Sequence, residues 1–588
     1  MTVVASRRPR AAEERPAGTG RARPRRRRGW RRWILSGPLL VVLAILILVP
    51  AGFVVVAAFT TDSPRPGASL GAFTWSNFAI LGDPDFTGGL LNSVLIAVFG
   101  TALALVIGGG LAFLAARSNV PARRFVFLVG IAPLVLPSYV GALAWAMLGS
   151  PQAGLLNIAL RDLGLPPVVD LYGLGGMVFV LALFYAPYPF LMIHSSLSLM
   201  NPELEDAASI HGASVRKMLS GVTFPLAMPA VLGSGLLVFI LMLENFPVAQ
   251  VLATPGGVVT LPTFLFQLMT ASPARGNEAS AIALALVAIV ATVTLLQRRA
   301  LAKRSFTTVT GKGVRARRVS LGRGRVICFV LVCAYFALSV VLPLLALLLT
   351  SIRRSPYMDS FADLLRPNAV RFDAYGAVLQ SKLFATVTLN SVVVSVVAAV
   401  AGTILAFLVA YTAYRTKARG GGLLEGISMM PIAIPAIVLG IGLLWTWIQS
   451  PIPLYGTLGV LMIAFVAAQM PQGLRSMASA IRSTDPDLED SAVIHGAPRR
   501  RAVAVVTLPL MRVALSSTLL LLLMLSMREL TVPLFLYTSN TQILSITIFD
   551  QFENGGALQQ AAVLSVVYVL IMFVLSYLPR RFGGTTDV

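Results

Sequence analysis

Long apolar runs separated by short polar clusters dominate this chain, and each of twelve runs is long enough to cross a hydrocarbon core of about 30 Å as a helix. They fall at about 33–59, 91–116, 125–149, 174–198, 228–252 and 279–297, then at 326–351, 389–414, 423–449, 457–477, 511–537 and 560–579. The pattern predicts an all-α polytopic membrane protein with twelve transmembrane helices. The polar intervals carry the orientation. Placing the Arg-rich residues 1–32 in the cytoplasm also places Arg117, Arg123, Arg124, Arg415, Lys417, Arg419, Arg580 and Arg581 there. The interval 352–388, with Arg353, Arg354, Arg366 and Arg371, falls on the other side and fits that rule imperfectly. Both termini are expected to be cytoplasmic.

One polar interval is written twice. Residues 201–213 read NPELEDAASIHGA and residues 485–497 read DPDLEDSAVIHGA, a separation of 284 residues (496 minus 212). Pro225 and Pro509 keep that offset, whereas Asn92-Ser93 and Asn390-Ser391 differ by 298 (390 minus 92). Pro133 and Pro137 match Pro431 and Pro435 at the same 298. The chain therefore reads as two six-helix repeats. An even number of spans gives both halves the same orientation, so a pseudo-two-fold axis should run along the membrane normal. The expected organisation is a disordered basic tail (1–32), a first transmembrane half (33–298), a basic cytoplasmic linker (299–324) and a second transmembrane half (325–588).

Composition narrows the class. Of 588 residues, 56% are hydrophobic and 12% charged, about half the charged fraction of a soluble globular protein. The net charge of +23 sits mostly in the tail and the short loops, the pattern of cytoplasmic retention and contact with membrane lipid, so no nucleic-acid partner is expected. The tail has too few apolar residues to pack. The run from Trp33 to Phe59 is too long for a signal-peptide core and reads as an uncleaved first span. Cys328 and Cys333 match no metal-ligand spacing, and no metal site is expected. Gly311-Lys-Gly313 lacks the length and context of a phosphate-binding loop. The chain is therefore expected to bind no cofactor, to hydrolyse no ATP and to have no catalytic residue.

The repeated interval reads as helix, bend, helix. Asn201 and Asp485 suit an N-cap, and Pro202 and Pro486 suit the first helical position. Glu203, Glu205 and Asp206, like Asp487, Glu489 and Asp490, lie at the positive end of the helix dipole. Gly212 and Gly496 can adopt the positive φ that ends it, and Arg216-Lys217 and Arg499 to Arg501 follow. One copy would be an ordinary capped connection. Two copies, one in each half, point to a docking surface for a two-fold cytoplasmic partner.

These residues resemble the EAA motif of binding-protein-dependent ABC importer permeases. The motif stands here as Glu205, Ala208 and Gly212 with Phe224-Pro225, and as Glu489, Ala492 and Gly496 with Leu508-Pro509; Ser491 replaces the small Ala207 of the first copy. The resemblance implies that each loop is a coupling helix seated on one of two copies of a cytoplasmic ATP-binding subunit, which would carry the ATP and magnesium. It also implies an extracytoplasmic substrate-binding protein and a bacterial cytoplasmic (inner) membrane. Fused two-half permeases of this length are most similar to the ferric-iron group, and Met527-Arg-Glu-Leu-Thr-Val-Pro533 resembles that group's second half. Thiamine, polyamine and phosphonate permeases are close relatives.

Four ionisable or amide residues interrupt the spans: Glu244-Asn245 in the fifth and Arg528-Glu529 in the eleventh, equivalent at the 284 offset. Such groups face a bundle interior or a cavity. A structural ion pair between Glu244 and Arg528 and a gate or pathway lining are both compatible with the pattern. Pro133, Pro137, Pro431 and Pro435 should kink or break their helices, whether as ordinary membrane prolines or as part of the pathway. His211 and His495 sit on the proposed docking surface, and His194 reads as a packed histidine. Two other classes compete: an ion-gradient-driven secondary transporter, which gives no reason for twin acidic loops, and a membrane scaffold, which needs no paired kinks.

Overall fold

The computed structural model describes residues 33–201, 203–302, 319–355, 358–416, 418–553 and 557–582. The expectations attached to the tail 1–32, to Pro202, to Lys417 and to most of the linker lie outside the described residues. Within them, regular structure is helical, with three isolated β-bridges. Eight helices are long and apolar enough to cross a membrane, from Ser36–Ala58 and Pro84–Arg117 to Lys382–Tyr414 and Leu558–Ser576. Five further segments pass the same test only as bent pairs. Four of these are the expected third, fourth, ninth and eleventh spans. The fifth, Ala249–Gly256 with Leu261–Thr270, is bent by 87° and was not among the twelve runs.

That extra segment corrects two expected spans. The run 228–252 is not one helix, because the helix ends at Leu243 and Glu244 is its cap. The run 511–537 likewise ends at Arg528. Beyond each end the chain folds into a re-entrant hairpin, 249–270 in the first half and Val532–Phe535 with Leu544–Glu553 in the second. Apolar composition continues through the break, so hydropathy cannot see it. Capping can. Asn245 Oδ1 accepts from Val248 N at 3.0 Å, and Glu529 Oε1 accepts from Val532 N at 3.1 Å and Thr531 N at 3.0 Å. These are equivalent positions, each starting a new helical turn by a side-chain N-cap.

The Asn-Ser pairs anchor the far arm of each hairpin. Asn92 Nδ2 donates to Val259 O (2.8 Å) and Ser93 Oγ accepts from Leu261 N (2.9 Å). In the second half Asn390 Nδ2 donates to Gln542 O (3.0 Å) and Ser391 Oγ accepts from Leu544 N (2.7 Å). Backbone groups that a broken helix frees inside a membrane need such partners. The hairpins meet at the centre of the molecule, where Gln250 Nε2 donates to Glu553 Oε1 at 2.8 Å and the Phe246 and Phe549 rings lie 6.1 Å apart.

Each half packs in the same way. Pro84–Arg117 runs against Pro187–Leu199 and Phe224–Leu243, and Lys382–Tyr414 runs against Leu458–Ser483 and Arg512–Arg528. The outermost spans are exchanged. The first span packs on Ala436–Gln449 of the second half, with Gly442 so close that an added Cβ would meet Pro50 O at 2.5 Å. Ser36 Oγ donates to Arg419 O at 2.6 Å. The seventh span packs on Ser138–Gly149 of the first half, and Tyr335 Oη donates to Leu183 O at 2.9 Å.

The prolines of spans three and nine sit at sharp breaks. Arg123–Val135 and Ser138–Gly149 meet at 93°, and Gly421–Ile432 and Ala436–Gln449 at 111°. Pro137 (φ −59°, ψ 134°) and Pro435 (φ −52°, ψ 142°) are extended residues preceding the second helix of each pair. Fixed φ and the missing N–H make proline fit there.

Candidate functional site

Each repeated loop folds as a short helix closed by a left-handed glycine. Glu203–Ile210 ends at Gly212 (φ 76°), and Pro486–Ile494 ends at Gly496 (φ 92°). Asn201 Oδ1 accepts from Glu203 N and Asp485 Oδ1 from Asp487 N, both at 3.0 Å. Pro486 takes the first helical position. At the other end Ala213 N donates to Ala208 O (3.0 Å) and Ala497 N to Ala492 O (3.1 Å), the ring closure of a Schellman motif. Both glycines are exposed, and no atom lies within 4 Å of where a Cβ would stand. Positive φ, not crowding, is what requires glycine here.

The two glutamates of the motif are buried anchors, each 1% exposed. Glu205 Oε2 pairs with Arg117 NH1 at 3.2 Å, itself 1% exposed, while Oε1 accepts from Thr223 Oγ1 at 2.7 Å. Arg117 NH2 also donates to Met200 O at 3.1 Å. Glu489 Oε2 accepts from Thr507 Oγ1 at 2.8 Å and lies 3.8 Å from Arg415 Nε. Arg415 donates to Thr484 O and Asp485 O, both at 2.9 Å. Arg117 and Arg415 differ by 298, and Thr223 and Thr507 by 284, so one latch is built twice. It ties the loop to the second and fifth spans of its half, and to the eighth and eleventh. The expectation that these carboxylates mainly face the helix dipole misses this role. The repeat offsets of Arg117, Thr223 and their counterparts carried the signal.

The second latch has two additional partners. Glu489 Oε1 accepts from Tyr411 Oη at 2.5 Å and from Arg499 Nε at 3.1 Å, where the first half has Phe113 and Val215. Burial pushes the Glu489 carboxyl up, but the hydrogen bonds from Tyr411 and Thr507 and the charges of Arg499 and Arg415 outweigh it and hold it below its ordinary value. What the loops present outward is apolar. Leu204 and Leu488 are half exposed, and Ile210 and Ile494 are 83% and 82% exposed. In the sequence these isoleucines stand beside the acids with nothing in their spacing to mark them.

Deeper in, Glu244, Asn245, Arg528 and Glu529 gather with four tyrosines. Asn245 Nδ2 donates to Tyr185 Oη at 2.9 Å, and the Tyr185 and Tyr188 rings stack at 5.7 Å. Tyr139 and Tyr568 rings lie 6.2 Å apart, and Tyr568 Oη donates to Met527 O. Arg528 acts electrostatically on Tyr139, Tyr185, Tyr568 and Glu529. Glu244 and Arg528 form no ion pair within 4 Å in this conformation. Glu244 instead feels the like charge of Glu529, and its Oε2 has no hydrogen-bond partner. The cause is the helix end: both side chains leave at a break, not along one buried helix face. The tyrosines were not singled out from sequence, since nothing in their spacing marks them.

His194 is packed, its ring 5.1 Å from Phe127 and 5.6 Å from Phe190. His211 and His495 are exposed on the loops. Among the described residues, no group of three or more His, Cys, Asp or Glu side chains is placed to hold a metal ion.

Comparison with known proteins agrees with the duplicated architecture. The family model described as "Binding-protein-dependent transport system inner membrane component" matches twice, over residues 104–306 and 383–583. The chain is 23% identical over 509 residues to a ferric transport system permease protein FbpB of Actinobacillus pleuropneumoniae, covering 86% of this chain and 73% of that one. A putative 2-aminoethylphosphonate transport system permease protein PhnU of Salmonella choleraesuis is 29% identical over 237 residues, 40% of this chain and 79% of that one. A bacterial alginate ABC transporter, solved with an alginate pentasaccharide-bound periplasmic protein, aligns at TM-score 0.35 and 18% identity, over 45% of this chain and 96% of that one. With the family match covering more than half of its length and falling once in each half, this chain belongs to the binding-protein-dependent transport system inner membrane components, as a fused two-half permease of the ABC importer type.

Proposed function

We propose that this permease is the membrane pathway of an ATP-driven importer. Two copies of a cytoplasmic ATP-binding subunit dock on the repeated loops, and an extracytoplasmic binding protein delivers the cargo. The chain lies in the bacterial inner membrane with both termini cytoplasmic, and ATP and magnesium belong to the partner ATPase. The observation that carries this reading is the duplicated latch: a buried glutamate fixes each loop to two spans while an exposed isoleucine points outward. A loop so anchored transmits a push on its outer face to the helices that line the core, as coupling requires. The re-entrant hairpins and the breaks at Pro133, Pro137, Pro431 and Pro435 bring non-helical backbone to the pathway, tolerated only inside protein or beside a water-filled cavity.

Ferric iron is the cargo favoured. The long relative named for ferric transport supports it. The test is uptake by proteoliposomes carrying the permease and its ATPase, with the binding protein outside. ATP-dependent uptake of ferric ion is expected. Uptake without ATP, driven by an ion gradient, would refute the importer reading. Uptake of 2-aminoethylphosphonate but not iron would refute only the cargo, and the phosphonate relative makes that the second candidate.

A further inference from the structure

An apolar groove of about 460 Å³ opens on the outer surface of the first half, between Pro84–Arg117, Pro187–Leu199 and Phe224–Leu243. Its floor is open because Gly109 and Gly110 stand where side chains would fill it. A Cβ on Gly110 would meet nothing within 4 Å. At the cytoplasmic end the groove continues through Phe113, Leu219 and Phe224 into a mouth lined by Arg216, Ser220 and Ser320. Asn119 holds the far lip in place, accepting from Leu321 N at 2.9 Å and donating to Ser320 Oγ at 3.4 Å. Arg216 and Ser220 are exposed. A long apolar slot ending in one guanidinium and two hydroxyls has the polarity of a single amphiphile, with a chain at one end and an anion at the other.

We propose that this groove seats one glycerophospholipid, an acyl chain along Val106, Gly110 and Val231 and the phosphodiester on Arg216 with Ser220 and Ser320. Charge selects this occupant over the chain's own undescribed segments. Residues 303–318 and 1–32 are rich in arginine and lysine, and a basic peptide would meet a basic mouth. The second half differs at the decisive positions. At the 298 offset Gly109 and Gly110 become Phe407 and Leu408, and Phe407 is buried and stacked on Tyr411 at 5.9 Å. The lipid seat is thus a property of one half only. It also shares a wall residue with the first latch, since Thr223 lines the groove and donates to Glu205.

Native mass spectrometry of the full chain released from phosphatidylglycerol nanodiscs tests the proposal. One retained lipid per chain is expected. Gly110→Phe, which puts a bulky side chain into open space on the groove floor, should lower the fraction of chains that retain a lipid. Arg216→Gln should weaken retention of phosphatidylglycerol while leaving the groove open. A photoreactive residue at Val106 should attach to lipid. Unchanged retention in both variants, or attachment at Val106 to residues 303–318 or to another protein, would overturn the assignment.

Discussion

Removing Glu205 should damage its loop more than removing Glu489 damages the other, although the two residues are equivalent in the repeat. Glu205→Ala leaves Arg117, 1% exposed, with its ion-pair partner gone and only Met200 O retained. Stranding one member of a buried pair costs about 3–5 kcal/mol. Glu489→Ala is milder, because Arg499 is 52% exposed and can turn to water, while Arg415 keeps Thr484 O and Asp485 O. Its main residual cost is the unsatisfied Thr507 hydroxyl, about 1–3 kcal/mol, since the Tyr411 hydroxyl, which also loses its bond to Glu489, is only half-buried and can turn to water. Amide hydrogen exchange in nanodiscs reads this directly at His211, Gly212 and Ala213 and at His495, Gly496 and Ala497, whose N–H groups close the two loops. Protection should fall by about 150- to 5,000-fold in the first loop and by about 5- to 150-fold in the second. The pair replacement Arg117→Met with Glu205→Leu should recover most of the loss, since an apolar pair of similar volume removes the stranded charge. Equal loss in both loops, or no recovery in the double variant, would refute the account of the glutamates as charge-paired anchors.

Three other outcomes follow from the geometry. Gly212→Ala and Gly496→Ala should each destabilise the bend by about 1 kcal/mol through positive φ alone, and Gly→Trp at either site should abolish ATPase coupling with membrane abundance unchanged; normal coupling in the Trp variants would remove the docking claim. Glu489 is held below its ordinary value, so its contribution is complete above the unfolded carboxylate pKa of about 4.3 and is lost as pH falls through the lowered folded value; hydrogen exchange over 486–497, corrected for intrinsic rates, should show opening only on the acid side, and loosening between pH 7 and 9 would contradict the sign. Glu244→Gln or Arg528→Gln alone should impair transport or uncouple ATP hydrolysis, and the swap Glu244→Arg with Arg528→Glu should restore part of it if the two groups meet in another state of the cycle; without rescue, the cluster acts through Glu529 and the tyrosines instead.

The sequence made the repeat legible because its landmarks are local: an N-cap, an acidic turn and a glycine keep their spacing wherever the spans pack. Span number was nearly right for a similar reason, since apolar length is additive along the chain. The hairpins were hidden because 228–252 and 511–537 stay apolar across a change of direction, and only Asn245 and Glu529, each bonded three residues ahead, mark where the helix stops. The latches were hidden in another way. Glu205, Arg117 and Thr223 are far apart in sequence, and each alone looks like a surface residue. Their meeting is a product of packing the second span on the fifth, which no single window contains.

The exchange of the outermost spans sets a timetable for biogenesis. The first span meets Gly276–Ala302 of its own half first, but its partner across the halves, Ala436–Gln449, emerges only about 400 residues after it, or roughly 20–80 s at the usual pace of synthesis. Until Gly276–Ala302 arrives to pack on it, its lipid-facing and future contact surfaces are alike to the bilayer, so it needs to be stable as a lone helix. Its 18-residue window is the most apolar of the eight straight spans, while the tenth, Leu458–Ser483, is the least apolar and the most enclosed. The tenth is made when its neighbour Lys382–Tyr414 is already in place, and its Gln469 gains Ser526 as a partner when the eleventh span follows. A ribosome stalled before residue 436 would therefore hold a first half that is inserted but whose first span lacks its packing partner in the second half.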